Sequence, residues 1–286
     1  MTSLKRLLQE PGLLIAPGVY DMISLKIAAQ SGCKALYMTG YGTVASHLGL
    51  PDAGLASYRD MRDRVAMMAP MAAKEGLPFI ADADTGYGGL INVAHTVKGY
   101  ESAGAQAIQL EDQTFPKKCG HTEGRDVIPA EEMVDKIHVA VESRESDDFL
   151  IIARTDARTT LGLDEAINRM EKYSKAGADI LFIESPETEE ELKIIGNHFD
   201  KPLVANMVEG GRTPLLSKRV LEELGFKIAI YPAIGFLSAG KALETAYHSL
   251  IEKEETPKDL PLYSFEKFNK LMGFEEVWDI EKRYAK

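Results

Sequence analysis

The chain has 286 residues, of which 45% are hydrophobic and 27% are charged, a composition typical of a globular protein with a large core. Its formal net charge of −11 argues against a nucleic-acid-binding surface, because such a surface needs a basic patch. Two cysteines are too few for a disulfide framework, and no segment reaches the roughly 20 apolar residues of a membrane span. We therefore expect a soluble, cytoplasmic protein without nucleic-acid or membrane partners.

Short apolar runs alternate with longer amphipathic segments along almost the whole chain. The runs predicted as strands cover residues 13–21, 35–40, 78–86, 107–113, 149–157, 179–186, 202–209 and 227–233. Between them, segments such as 58–76, 130–146 and 163–177 repeat apolar residues at i, i+3, i+4 and i+7, as amphipathic helices do. Apolar strands covered by helices indicate a parallel sheet, and eight βα units close most simply into an α/β TIM barrel, (β/α)₈.

The alternative architecture is a doubly wound open sheet, which would have fewer strands and a glycine-rich phosphate turn after the first strand. The sequence APGVYD at 16–21 is no such turn. We therefore predict one catalytic barrel over residues 1–255, followed by a helical extension over residues 256–286. The Phe, Leu, Met and Trp positions of this extension would expose an apolar face on a lone barrel, which indicates packing on a partner subunit.

A long loop follows the fourth predicted strand. Residues 114–128 are rich in glycine and charge and exceed the usual length of a βα connection, so we interpret them as a lid. Within the lid, Lys117 and Lys118 precede Cys119, and their charge is expected to lower the pKa of the thiol. Gly120 follows and lets the loop approach a ligand closely. The sequence thus predicts a chemical role for the cysteine.

Polar side chains collect where the predicted strands end, which is where a parallel barrel builds its active site. Asp82 and Asp84 lie two apart on one strand and so face the same side, and Glu111 ends the next strand. Carboxylates are the oxygen ligands that Mg²⁺ prefers, and the ion takes one or two directly while keeping several waters. We therefore predict a magnesium site at the two aspartates, with Glu111 acting through water, rather than a pair of helix caps.

Three further strands end in residues suited to an acidic substrate. Arg154 should point into the barrel mouth, where its guanidinium group can bind a carboxylate in bidentate fashion. Glu184 and Asn206 end the next two strands and could bind a second carboxylate or carry a proton. A structural ion pair between Arg154 and Glu184 is the alternative, and it does not exclude a functional role.

In combination, these segments resemble the isocitrate lyase/phosphoenolpyruvate mutase superfamily over residues 10–250. The matching strings occur in order and at barrel spacing: APGVYD, YMTGYG, LGLPD, ADADTGYG, QLEDQ, KKCGH, ARTDAR, IES, ANMVEGGRTP and YP. KKCGH together with DAD and EDQ is the specific part. The resemblance implies a homotetramer that exchanges a C-terminal helix between subunits.

The resemblance also implies the site residues. It places Mg²⁺, for which Mn²⁺ can substitute, at Asp82 and Asp84, with Asp52 and Glu111 in the outer shell. It implies that catalysis uses Cys119, Tyr37, Glu184 and His121. It further implies that the substrate contacts Thr39, Gly40, Tyr41, Asp82, Lys117, Gly120, Arg154 and Asn206.

The reaction that the resemblance implies is cleavage of a carbon–carbon bond. Phosphonomutases of the superfamily lack the cysteine of KKCGH, so the chain resembles lyases that split 2,3-dimethylmalate or 2-methylisocitrate into a 2-oxo acid, such as pyruvate, and a carboxylic acid. Val208 and the Gly40-Tyr41-Gly42 sequence depart from methylisocitrate lyases and favour a smaller dicarboxylate, such as an alkylmalate. Oxaloacetate hydrolases and phosphonomutase-type enzymes that act on a P–C bond are the alternatives. In the hydrolases we expect a hydroxyl residue where Pro232 stands.

Two groups move protons in this hypothesis. Tyr37 is the candidate base for the 2-hydroxyl group, and Cys119 protonates the carbanion left at C3. The second role requires a thiol, whereas neighbouring lysines favour a thiolate, so a carboxylate near Cys119 or the substrate itself would have to raise its pKa. A barrel kept only for binding is a further alternative, and the intact set of acidic, arginine and cysteine residues argues against it.

Overall fold

The computed structural model describes residues 3–122 and 124–285 and forms an eight-stranded parallel sheet. The strands are β1 Leu14–Val19, β2 Leu36–Met38, β3 Phe79–Asp82, β4 Ala107–Glu111, β5 Leu150–Thr155, β6 Ile180–Ile183, β7 Val204–Asn206 and β8 Ile228–Tyr231. β1 pairs with β8 from Leu14 opposite Ile228 onward, and a parallel bridge joins Leu181 to Leu203. The sheet is therefore a nearly closed barrel, and the predicted (β/α)₈ fold is confirmed.

Helices connect successive strands, as the amphipathic segments predict, and further helices precede the first strand and follow the last. They are α1 Leu4–Gln9, α2 Met22–Ala29, α3 Gly40–Leu48, α4 Tyr58–Lys74, α5 Leu90–Ser102, α6 Ala130–Ser143, α7 Arg158–Leu161, α8 Leu163–Lys175, α9 Glu189–His198, α10 Lys218–Glu223, α11 Ile234–Lys253, α12 Phe265–Met272 and α13 Phe274–Tyr284. Local sequence signals set where these helices begin. At the start of α4, the side chains of Ser57 and Asp60 each accept the backbone N–H of the other residue, which is a capping box. Among the described residues, no helix is both long and apolar enough to cross a lipid bilayer.

Most strands send alternate side chains to two different apolar cores. Leu150 and Ile152 of β5 belong to the core inside the barrel, whereas Ile151 and Ala153 belong to the core between strands and helices. This alternation is the two-residue period of a strand that is buried on both faces. It fixes which residues at the strand ends point into the barrel mouth.

The chain divides into two compact units, Met1–Gly235 and Phe236–Lys286. The first contains the barrel. The second comprises most of α11 together with α12 and α13. Helices α12 and α13 contact each other, and Gly273, in the left-handed conformation, separates them. Several large apolar side chains of the second unit are exposed, among them Leu243, Tyr247, Ile251, Phe265 and Trp278. The predicted division into residues 1–255 and 256–286 stays a prediction.

Candidate active site

The barrel alternation explains why the predicted functional side chains converge. On several strands, an apolar residue that faces the barrel interior is followed two positions later, on the same face, by a polar residue at the carboxyl end. Ile152 is followed in this way by Arg154, and Phe182 by Glu184. The other members of the series are Thr39 after Tyr37, Asp82 after Ile80, Gln109 and Glu111 after Ala107, and Asn206 after Val204.

Five charged residues form what we call the acid cluster: Asp52, Asp82, Asp84, Glu111 and Lys117. All five are buried. The ammonium Nζ of Lys117 lies 2.5 Å from Asp52 Oδ1 and 2.6 Å from Asp84 Oδ1. Burial raises the pKa of Asp84 to about 7 although the ammonium group opposes the shift. The four residues predicted around the metal therefore meet beside a single ammonium group.

The acid cluster contains carboxylate oxygens that fit a divalent cation. Apart from the lysine contacts, Asp52 Oδ1, Asp84 Oδ1 and Glu111 Oε1 are buried without a hydrogen-bond partner. Within residues 3–122 and 124–285, no three His, Cys, Asp or Glu side chains form a ready-made metal cage. Mg²⁺ needs only one or two direct carboxylates because it keeps several waters. The donor set therefore fits Mg²⁺.

The backbone around the acid cluster is tightly constrained. Asp84 has a left-handed φ of 49°, and its N–H donates to Asp82 Oδ1 at 3.1 Å. Helix α3 begins at Gly40, after the N-cap residue Thr39, and a Cβ atom at Gly40 would collide with the Asp82 carboxylate. The predicted substrate residues 39–41 therefore form the amino end of a helix directly beside the acid cluster.

A second group of residues, the arginine cluster, comprises Arg154, Asp156, Glu184, Asn206 and Arg125. Arg154 Nε and Nη2 donate to Asp156 at 2.8 and 2.9 Å, and Nη1 lies 3.3 Å from Glu184 Oε2. One edge of the guanidinium group, formed by Nε and Nη2, is thus occupied by Asp156. Binding of a substrate carboxylate by Arg154 stays a prediction and would use the remaining donors on Nη1 and Nη2.

Glu184 is held on several sides. Asn206 Nδ2 donates to Glu184 Oε2 at 2.9 Å, and His121 Nε2 lies 3.5 Å from Glu184 Oε1. His121 Nδ1 accepts the backbone N–H of Arg212 at 3.2 Å, and its Nε2 lies 3.3 Å from Asn206 Nδ2. Burial lowers the pKa of His121. The buried Asn206 Oδ1 has no partner among the described residues and can accept a hydrogen bond from a substrate.

The predicted lid packs onto the arginine cluster through Gly120. A Cβ atom on Gly120 would collide with Arg154 Nη2 and approach the Glu184 carboxyl group, so only glycine allows this contact. Ser185 Oγ donates to the carbonyl oxygen of Gly120 at 2.9 Å. Residue 123 of the predicted lid 114–128 lies outside the described residues.

Cys119 is a thiol rather than a thiolate. Burial, together with the charges of Asp52 and Glu184, raises its pKa to about 11 against the opposing effects of the His121 N–H and Arg154. The expectation that flanking lysines lower this pKa is wrong. Lys117 is paired with the acid cluster, and Lys118 Nζ donates to the carbonyl oxygen of Gly124 at 2.9 Å.

Tyr37 lies inside the barrel, below the acid cluster. Its hydroxyl donates to Gln109 Oε1 at 3.2 Å, and Gln109 Nε2 lies 3.4 Å from Asp82 Oδ1. Burial and then the charge of Asp82 raise the pKa of the tyrosine well above 10. A phenolate is therefore disfavoured, and the predicted role of Tyr37 as a base gains no support.

Sequence reasoning missed Asp156, Arg125, Ser185 and Gln109. Two of them had a usable signal, because Asp156 lies two residues beyond Arg154 and Gln109 lies two before Glu111, on the same strand faces. Arg125 and Ser185 had none. Their partners depend on where the lid packs, which no spacing in the sequence specifies.

Comparison with known proteins agrees with this site. The chain matches the phosphoenolpyruvate phosphomutase family over residues 4–251. It is 48% identical to 2,3-dimethylmalate lyase of Eubacterium barkeri, and the match covers 99% of this chain and 97% of that protein. It is 40% identical to 2-methylisocitrate lyase of Aeropyrum pernix, and the match covers 99% of this chain and 89% of that protein. The structure of an oxaloacetate acetylhydrolase in complex with 3,3-difluorooxalacetate superposes with a TM-score of 0.92 at 35% identity, covering 98% of this chain and 95% of that one. The predicted resemblance, and with it the prediction of an oxo-acid lyase of this superfamily, is confirmed.

Proposed function

Because the chain belongs to the phosphoenolpyruvate mutase/isocitrate lyase superfamily, we propose that it is a Mg²⁺-dependent lyase that cleaves a 2-hydroxy dicarboxylate of the 2,3-dimethylmalate type. The products are a 2-oxo acid such as pyruvate and a carboxylic acid. The observation that carries the proposal is Cys119, a thiol whose pKa burial raises to about 11, on a loop that packs against Arg154 and Glu184. A protonated thiol beside a carboxylate-binding arginine is suited to protonate a carbanion.

The acid cluster and the arginine cluster divide substrate binding between them. Asp82 and Asp84 would hold Mg²⁺, and Asp52 and Glu111 would support it from the outer shell. When bound, Mg²⁺ supplies a Lewis acid for the substrate's 2-hydroxyl and adjacent carboxylate, which lowers the pKa of the hydroxyl group. The amino end of α3 favours the negative charge of that carboxylate. The remaining donors of Arg154 bind the second carboxylate, and Asn206 Oδ1 accepts a hydrogen bond from the substrate.

Bond cleavage then follows a balanced sequence of electron and proton transfers. The 2-hydroxyl group loses its proton to a base, its oxygen becomes the oxo group, and the C2–C3 bond breaks. The electron pair passes to C3 and is delocalised into the neighbouring carboxylate. Cys119 donates its proton to C3, and the thiolate regains a proton from the base or solvent after product release. A carboxylate of the acid cluster is a better base than Tyr37, because burial disfavours the phenolate.

Two related reactions are the alternatives within the family. A 2-methylisocitrate substrate is favoured by the 40% identity to a lyase of that name. Oxaloacetate hydrolysis is favoured by the superposition with oxaloacetate acetylhydrolase. The first would need a donor for a third carboxylate, and Val208 offers none. The second is disfavoured by Pro232, at the position where a hydroxyl residue is expected.

A substrate panel tests the proposal. The enzyme is assayed with 2,3-dimethylmalate, 2-methylisocitrate and oxaloacetate, each with Mg²⁺ and with excess EDTA, and pyruvate and oxalate are measured. We expect pyruvate from the dialkylmalate and only with the metal. Oxalate release from oxaloacetate at a higher kcat/KM would favour the hydrolase, and full activity in EDTA would exclude the metal.

We also propose that the enzyme assembles as a homotetramer through its C-terminal helices. The support is the set of exposed apolar side chains in the second unit, such as Tyr247, Phe265 and Trp278, because large exposed apolar patches mark interaction surfaces. Light scattering after size-exclusion chromatography measures the mass. A mass near the chain's 31.5 kDa would contradict the assembly.

A further inference from the structure

Arg125 joins the predicted lid to the segment that follows β5. Its Nη1 donates to Asp156 Oδ1 at 2.5 Å, and its Nη2 donates to Thr159 Oγ1 at 2.6 Å. Its Nε donates to the carbonyl oxygen of Thr122 at 3.2 Å. Arg125 and Asp156 are both buried. A guanidinium group holds its donors in one rigid plane, so these contacts tie Thr122 and Arg125 to the segment that follows β5.

The contact to Thr122 links Arg125 to the reacting thiol. Residues 119–122, which we call the Cys119 turn, are closed by two hydrogen bonds. The Thr122 N–H and Oγ1 donate to the carbonyl oxygen of Cys119 at 3.0 and 2.8 Å. Because Arg125 binds the last residue of the turn, a movement of Arg125 would move the turn.

The contact to Asp156 links Arg125 to substrate binding. Asp156 Oδ1 accepts from both Arg125 Nη1 and Arg154 Nη2, and Asp156 Oδ2 accepts from Arg154 Nε. One buried carboxylate therefore orients the guanidinium group proposed to bind the substrate and also holds the lid. Charge-assisted hydrogen bonds of this kind are short and strong, which makes the arrangement rigid.

We propose that Arg125 is a positioning residue for the reaction, which holds the Cys119 turn over the substrate and couples that position to Arg154 through Asp156. The inference rests on the proposed lyase function and deepens it. Arg125 does not contact the reacting atoms and acts only through the turn and through Arg154. Loss of Arg125 leaves Asp156 paired with Arg154, so the barrel should still fold.

The test compares two arginine-to-methionine variants. Arg125→Met keeps the apolar stem of the side chain and removes its donors. Arg158→Met is the matched control, because Arg158 also lies at the barrel rim and pairs with two carboxylates, Glu187 at 2.7 Å and Glu191 at 2.6 Å. None of its hydrogen bonds or ion pairs in the described chain reaches the Cys119 turn.

The first measurement is the rate at which iodoacetamide alkylates Cys119 without substrate, followed by peptide mass spectrometry with Cys33 as an internal reference. We expect Arg125→Met to react at least about tenfold faster than wild type and Arg158→Met, because the turn opens and exposes the thiol. Cys33 should react equally in all three proteins. Equal Cys119 rates in wild type and Arg125→Met, or equal acceleration in Arg158→Met, would overturn the proposal.

The second measurement is turnover of the best substrate in the panel. We expect kcat of Arg125→Met to fall about 10- to 100-fold with a smaller change in KM, as misplacement of a catalytic group by about 1 Å does. Arg125→Lys should recover part of this loss, because a lysine can pair with Asp156 but cannot reach all three acceptors. A change confined to KM would overturn the positioning role.

Two provisions keep the outcome decisive. If Arg125→Met does not fold, Thr159→Val removes one of the three bonds and should accelerate alkylation about two- to fivefold, and no acceleration would overturn the proposal. Alkylation needs no substrate, so it is independent of the lyase assignment. Faster alkylation of Arg125→Met in an enzyme that cleaves no 2-hydroxy dicarboxylate would reject the lyase function and retain the role of Arg125 in holding the turn.

Discussion

The acid cluster and the arginine cluster lie at the ends of neighbouring strands, but they balance their charges differently. In the acid cluster, four buried carboxylates surround the single ammonium group of Lys117, which contacts Asp52 and Asp84. Arg154 Nε lies 3.5 Å from Glu111 Oε2, and Glu111 Oε1 is buried without a hydrogen-bond partner. In the arginine cluster, the carboxylates of Asp156 and Glu184 are bound by Arg154, Arg125, Asn206 and Ser185. One cluster has surplus negative charge, and the other is largely neutralised internally.

This difference indicates what each cluster is suited to bind. Buried charge without a partner is unfavourable for folding, so a surplus of carboxylate is expected where a cation binds. A cluster whose own groups already satisfy each other is rigid and offers only its remaining donors. The acid cluster is therefore suited to a metal, and the arginine cluster is suited to orienting a carboxylate and supporting the lid.

Removing one carboxylate from the acid cluster should have the largest effect. We expect Asp84→Ala to lower turnover by about 10³-fold or more, because a bound Mg²⁺ contributes several kcal/mol to transition-state stabilisation. The fold should persist, because Asp84 lies at the barrel rim. Turnover and the increase in melting temperature on adding Mg²⁺ are measured, with the exposed Asp63→Ala as control. A normal response to Mg²⁺ in Asp84→Ala would contradict the metal assignment.

Replacing the thiol between the two clusters should have the next largest effect. Cys119→Ser leaves a group of much higher pKa, so we expect turnover to fall about 10²- to 10⁴-fold, the range for a positioned general acid. Binding should survive, because Arg154 and the acid cluster are unchanged. Turnover is measured beside oxalate binding followed by thermal shift. A near-normal rate would mean that another group supplies the proton, and would favour the hydrolase or mutase reaction.

The protonation state of Cys119 gives a smaller, pH-dependent effect. Its pKa of about 11 keeps the thiol protonated at pH 8, so alkylation in a Cys33→Ser background should be about 10²-fold slower than for an ordinary thiol of pKa near 8.5. The rate should keep rising beyond pH 10. The raised pKa also links folding to pH, because between pH 8.5 and 11 the folded protein keeps a proton that the unfolded chain loses. The contribution of the buried thiol to stability is therefore complete below pH 8.5 and is lost as the pH rises towards 11. A rate plateau near pH 9 would contradict the shift.

The two clusters also differ in how far the sequence predicts them. Three members of the acid cluster follow from strand period, because Asp82, Asp84 and Glu111 lie on predictable faces at predictable strand ends. Asp52 follows only from the resemblance, and the pairing of Lys117 with the carboxylates was not predicted. The arginine cluster follows only in part. Arg125 meets Asp156 across 31 positions of sequence through the path of the lid, which periodicity does not encode. The same limit explains the error on the thiol, because Lys117 is a neighbour of Cys119 in sequence but points towards the acid cluster.

The smallest effect on activity is expected just behind the acid cluster, at the residue after Glu111. Asp112 has the opposite strand parity and faces the helices, where it accepts hydrogen bonds from Thr155 Oγ1 at 2.7 Å and Tyr173 OH at 2.8 Å, as well as from the Asp156 N–H and Arg169. These bonds fix β5 and α8, and the bond to the Asp156 N–H also fixes the backbone of one residue of the arginine cluster.

Tyr173→Phe tests this separation of structure from chemistry. Loss of one hydrogen bond to a buried carboxylate should lower the free energy of unfolding by about 1 to 2 kcal/mol. Because Asp112 keeps its other partners, kcat should change by less than about twofold. Glu111→Gln is the matched comparison in the acid cluster and should show the opposite pattern, with stability retained and turnover reduced, because it removes charge where carboxylates repel each other. Urea unfolding and steady-state kinetics on both variants measure the two effects. A Tyr173→Phe enzyme that is fully stable but slow would contradict this separation. It would mean that Asp112 serves catalysis as Glu111 does, although the two side chains point to opposite faces of the sheet.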